Sequence, residues 1–134
     1  MRSSVSSSRR KRALILSLLL AFVVGGYTAL FASIHAGVTD TARLAMTQYP
    51  GDRVEALCAL AACESCSLSD RNHAVWALGQ LRDRRALPIL ERYYTGQECN
   101  HSLDLCQYEI RKAVKAIKSR SLLWLGYRDL ALGK

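Results

Sequence analysis

The hydrophobic pattern divides the chain into two regimes. From Ala13 to Thr39, "ALILSLLLAFVVGGYTALFASIHAGVT" is apolar without a period and holds no Asp, Glu, Lys or Arg. A spanning helix needs roughly 20 predominantly apolar residues, against about 7–15 in the core of a signal peptide. The run from Ala13 to Ile34 therefore predicts a transmembrane helix, placed at residues 13–36. Gly25 and Gly26 fall inside it, where the bilayer offers the backbone no competing partners. Tyr27 and His35 stand toward its far end, a place suited to amphipathic side chains. A cleaved signal peptide is the competing reading, but "FASIHAG" offers only an imperfect small-residue cleavage pattern.

Beyond about residue 40 the apolar positions recur at helical spacing, with no alternation of strand length. "SDRNHAVWALGQL" opens on Ser69-Asp70 as a capping pair and sets Ala74, Val75, Leu78 and Leu81 on one face. "RDRR", residues 82–85, is a polar break. "ALPILERYYTG" sets Ala86, Ile89, Leu90 and Tyr93 together, with Pro88 in a first turn and Gly96 as a stop. "YEIRKAVKAIKSR" puts Ile110, Ala113, Val114 and Ile117 on one face and Arg111, Lys115 and Lys118 on another. The expected fold class is all-α: a single transmembrane helix, then a short α-α solenoid over residues 40–134.

The solenoid follows from repetition. "ARLAMTQYPGDRVEALCALAA" from Ala42 lies under "AVWALGQLRDRRALPILERYY" from Ala74, so that Ala45 matches Ala77, Met46 matches Leu78 and Leu57 matches Ile89. "AVKAI" from Ala113 matches "AVWAL" again. A period of 30–40 residues built from two short helices is the mark of an α-solenoid. "RNHAVWALGQLRDRRALPILERYY", followed by "YEIRKAVKAI", resembles the short HEAT repeats of phycobilisome-lyase-like proteins. The shared pattern is carried by Arg71, Ala74, Ala77, Leu78, Gly79, Leu81, Arg85, Ala86, Leu87, Pro88 and Leu90. It is specific over Asp70 to Gly96, fair over Tyr108 to Lys118 and weak over Ala42 to Ala62. After Ser119 it fails, and "SLLWLGYRDL" is read as a terminal cap. The resemblance implies a solenoid that binds proteins or scaffolds complexes. Some members are chromophore lyases, but no residue here carries that activity over.

Charge adds orientation. The net charge is +8, yet Arg2, Arg9, Arg10, Lys11 and Arg12 crowd into a basic tail at residues 1–12. A nucleic-acid binder would place its basic residues on the folded face, so nucleic acid is not an expected partner. After the apolar run, Arg43 and Arg53 are the basic residues met first. The positive-inside bias then sets the N-terminus in the cytoplasm and the solenoid on the extracytoplasmic side.

The chain has five cysteines. Cys58 shares a helical face with Val54, Leu57 and Ala61 and reads as a buried core residue. Cys63, Cys66, Cys99 and Cys106 lie in or beside two equivalent inter-repeat loops, "CESC" and "CNHSLDLC". Haem attachment is excluded because Ser67, not a histidine, follows Cys66. A thioredoxin-like pair needs its CxxC at a helix N-terminus, and "CESC" follows a helix. Structural disulfides are favoured in an oxidising compartment. The alternative is a zinc site of the same four residues, with His101 as a substitute ligand. His73 belongs to the helix pattern and reads as inert.

No Ser/His/Asp arrangement, carboxylate pair or phosphate loop occurs. The expected role is non-enzymatic and without a cofactor: a membrane-anchored interaction or scaffold module, an accessory subunit of a membrane complex. Glu91, Arg92 and Tyr94 on a second-helix face are candidate partner contacts. So are the basic stripe Arg111, Lys112, Lys115 and Lys118 (continued by Arg120) and the aromatic tail residues Trp124 and Tyr127. Its partners would be the lipid bilayer and other proteins of the complex. The alternatives are a thiol-redox or zinc-binding protein using the clustered cysteines, or a lyase-like cofactor chaperone.

Overall fold

The computed structural model describes residues 3–99 and 104–119. Among these, every regular element is helical: α1 Ser3–Gln48, α2 Arg53–Ala62, α3 Leu68–Leu81, α4 Leu87–Tyr93 and α5 Gln107–Lys118, with a 3₁₀ turn Arg84–Ala86 before α4. Trp124 and Tyr127, Arg120, His101 and the expected terminal cap lie outside the described residues. The chain divides into two units, Met1–His35 and Ala36–Lys134.

The first unit is the apolar part of α1. Its side chains from Lys11 to Leu30 are exposed, with Leu14 62%, Leu18 69%, Phe22 81% and Leu30 60% exposed. From Lys11 the helix is long and apolar enough to cross a membrane, by length and composition. Its few hydroxyls turn inward to the helix's own carbonyls: Ser17 donates to Leu14 O, Thr28 to Gly25 O and Ser33 to Ala29 O. That back-bonding leaves few polar groups facing outward. The sequence places an end at residue 36 and a fresh start at 40, whereas α1 runs on unbroken to Gln48. Nothing there forces a break: Gly37 stays helical, and Thr41 donates to its carbonyl.

In the second unit the end of α1 buries Val38, Ala42 and Ala45. Gly37 leaves room for the Trp76 ring of α3, which an added methyl would meet at 3.2 Å. The turn "YPGD" follows, with Gly51 at φ +108°, a backbone state that glycine adopts freely. Asp52 then opens α2 with a capping box, accepting from Val54 N–H and Glu55 N–H while its own N–H donates to Glu55.

Helix α3 is the centre of the stack. It packs on α2 and on α5, and α5 also packs on α4. Ala74, Val75, Ala77, Leu78, Gly79 and Leu81 of α3 are buried, together with Leu57 and Leu60 of α2, Leu90 of α4 and Ile110 of α5. Each buried Val, Leu or Ile contributes about 1.5–3 kcal/mol. The α3–α5 approach rests on Gly79, where an added Cβ would lie 2.9 Å from both Cα and Cβ of Ala113. Helix α3 starts earlier than its sequence suggests. Ser67 is the N-cap, and its hydroxyl accepts from Asp70 N–H; Ser69 is already inside the helix. The chain then stops α3 at Arg82, in the left-handed region with φ 53°.

Candidate functional site

Two cysteine pairs and one charged helix face are the places where chemistry collects.

Cys63 is the C-cap of α2, and its N–H donates to Leu60 O. Cys63 and Cys66 are joined by a disulfide, with Cys66 N–H donating to Cys63 O across the turn. The Tyr49 hydroxyl stands 3.3 Å from Cys66 Sγ; a disulfide sulfur has no proton, so the phenol is the donor. The staple thus closes the loop between α2 and the Ser67 cap of α3.

The second pair is different. Cys99 and Cys106 are free, with their sulfurs 3.4 Å apart. Cys106 is the N-cap of α5 but makes no side-chain cap bond. Cys99 supplies one instead: Tyr108 N–H donates to Cys99 Sγ at 3.2 Å. Two polar side chains fix this corner. Cys106 N–H donates to Asn72 Oδ1 of α3 at 2.9 Å. Gln107 donates to Tyr93 O and accepts from Thr95 N–H, holding the chain after α4 against the start of α5. The Tyr108 N–H, with help from the Cys106 thiol, lowers the Cys99 thiol below its ordinary range. Burial raises that of Cys106.

The four cysteines are therefore two separate pairs. Among the described residues no three His, Cys, Asp or Glu side chains gather as a group that could hold a metal ion. Cys58 is half-buried rather than fully enclosed; burial still pushes its thiol up to about 11.

The charged face lies on α4 and α5. Glu91, Arg92, Tyr94, Arg111, Lys112, Lys115 and Lys118 are all exposed. Part of their charge is spent internally. Lys118 pairs with Glu91 at 2.6 Å, joining α5 to α4, and Lys112 pairs with Glu109 at 3.2 Å. Arg111 and Lys112 both stand over the Tyr108 ring, 5.5 and 5.1 Å from its centre. Arg92 and Lys115 form no ion pair among the described residues. His73 is exposed on α3.

Two arrangements escaped the sequence reading. Arg71 is 8% exposed, donates to Ala61 O at 3.0 Å and lies over the Tyr93 ring. Tyr93 itself donates to Ala62 O, so this pair caps the negative end of α2. Arg85 bridges Asp52 of the α2 cap and Asp83 of the 3₁₀ cap at 2.6 and 3.1 Å. Burial raises both carboxyls, but cap N–H groups and Arg85 outweigh it, and both end below the usual range. The one advance signal was the spacing of Asp52, Asp83 and Arg85 at equivalent repeat turns.

Residues 70–95 match the PBS lyase HEAT-like repeat family. The match covers α3, the 3₁₀ turn and α4, so one HEAT-like helix pair is present. No curated protein and no solved structure matches the chain.

Proposed function

We propose that this protein is a membrane-tethered docking module, an accessory subunit of a larger membrane complex. A HEAT-like repeat points to a protein-interaction or scaffold role. The observation that carries the reading is the α4–α5 face, where six exposed partner candidates stand on two packed helices and Tyr94 follows directly after α4. Such a face is held in place by the core beneath it, so docking would cost little ordering entropy. Arg92 and Lys115 keep their charge unspent, which favours a partner with carboxylates opposite them. Tyr94, 43% exposed, and Tyr108, 52% exposed, supply the flat amphipathic surface common in binding hot spots.

The apolar part of α1 serves as the anchor in this reading. The basic tail would hold the N-terminus on the cytoplasmic side, leaving the helical stack on the other. The Cys63–Cys66 disulfide agrees with an oxidising compartment there.

A photo-crosslinking residue placed at Tyr94 tests the role in intact membranes. One dominant protein adduct is expected. Exclusive adducts to lipid, or none, would overturn the docking role.

A further inference from the structure

"CESC" has the spacing of a redox motif but sits at the wrong end of a helix. Cys63 is the C-cap of α2, where the backbone dipole disfavours a thiolate. "CNHSLDLC" has an unusual spacing, yet its two sulfurs meet at the N-terminus of the 12-residue helix α5. There the dipole and free N–H groups favour a thiolate.

We infer that Cys99 and Cys106 form a thiol–disulfide exchange site, with Cys99 as the attacking sulfur, Cys106 as the resolving one and a disulfide as the substrate. Three observations carry this, independently of the docking role. The sulfurs are 3.4 Å apart and unbonded, close enough to join with a small rotation. They differ in access: Cys106 is 7% exposed, while Cys99 is partly open to solvent. The Cys99 sulfur receives the Tyr108 N–H at 3.2 Å, and Arg111 adds positive charge from the next turn. The bond of Asn72 to Cys106 fixes the backbone that bears the resolving sulfur, and Gln107 ties the chain at Tyr93 and Thr95 to the start of α5.

The exchange balances in two steps. The Cys99 thiolate attacks one sulfur of RSSR; the Cys99–SR bond forms, the S–S bond breaks, and RS⁻ leaves with the electron pair. Cys106 then gives its proton to solvent and attacks Cys99 Sγ. The Cys99–Cys106 bond forms and the second RS⁻ leaves. Two electrons pass from the dithiol to RSSR, and the thiol protons end on two RSH. The Cys63–Cys66 bond takes no part.

The full chain in detergent, first treated with reduced glutathione, provides the test. Iodoacetamide at neutral pH should label Cys99 roughly ten-fold faster than Cys106 or Cys58. In Cys106→Ser, oxidised glutathione or a cystine-bridged peptide should leave a stable mixed disulfide on Cys99. In Cys99→Ser neither probe should accumulate on Cys106. Which probe accumulates separates a small-molecule from a peptide substrate. In the native chain the Cys99–Cys106 bond should form and then reopen in reduced glutathione. Equal labelling rates, no mixed disulfide with either probe, or a bond that reduced glutathione never reopens would each overturn the assignment. The labelling arm needs no substitution, so a variant that misfolds does not rescue the idea.

Discussion

Arg71 joins three helices through one guanidinium: its own α3, the last turn of α2 at Ala61 O, and α4 at the Tyr93 ring. In Arg71→Met the stem is kept and the buried carbonyl loses its donor. An unsatisfied buried acceptor costs about 1–3 kcal/mol. The denaturant midpoint of the full chain in mild detergent, followed by tryptophan fluorescence, should fall while the slope stays constant. Cys58 gives a pH test. Its folded thiol titrates near 11 against 9.0 ordinarily, because burial penalises the thiolate. Between those values the unfolded chain releases its proton first, so stability is complete below about pH 9 and declines as pH rises toward 11. Comparing unfolding at about pH 8 and pH 10.5 in the native chain and in Cys58→Ala should show a smaller decline in the variant. Individual residues were only partly legible. The arginine at 71 could be noted as part of a pattern, but its burial depends on the α2 terminus and on Tyr93. Those lie 10 and 22 residues away in sequence and beside it in space.

Helix faces were far more legible, because periodicity records which side is covered. Ala74, Val75, Leu78 and Leu81 were expected on one face and are buried. The exceptions have causes. Met46 aligns with Leu78 yet is 47% exposed: α3 lies between α2 and α5, while the helix opening a stack has a neighbour on one side. Two hydroxyl residues compete to cap α3, and Ser67 wins because its hydroxyl faces Asp70 N–H. Gly96 stops nothing, since α4 ends at Tyr93; Gly96 serves a later bend at φ +74°. Gly79 is where two helices depend on one missing methyl. Gly79→Ala would improve helix propensity by about 1 kcal/mol but force α3 from α5, at about 1–3 kcal/mol. A net loss of stability is expected, and Ala113→Gly in the same chain should recover part of it. Asp52→Ala removes the α2 cap and the Arg85 bridge; a cap alone is worth about 1 kcal/mol. Its effect should shrink on acidification, because the depressed Asp52 pKa stabilises the fold only while the carboxylate is charged.

For the molecule as a whole, the division into an apolar helix and a helical stack was plain from hydrophobic patterning. The pairing of cysteines was not, since sequence spacing holds no information on which loop end a helix N-terminus will face. If α1 anchors the chain, Leu18→Lys with Phe22→Lys should defeat insertion, at about 3 kcal/mol for each lysine at a span centre. Carbonate-washed membranes should retain the native chain and lose the double variant. The docking claim is tested most directly by affinity purification of the full chain from solubilised membranes, beside Arg92→Glu with Lys115→Glu. Neither residue forms an ion pair among the described residues, so the exchange breaks no internal pair seen there. One membrane protein recovered in proportion with the native chain, and lost with the charge-reversed one, is the expected result. A native chain that emerges alone, or the same companions with both forms, would contradict the account.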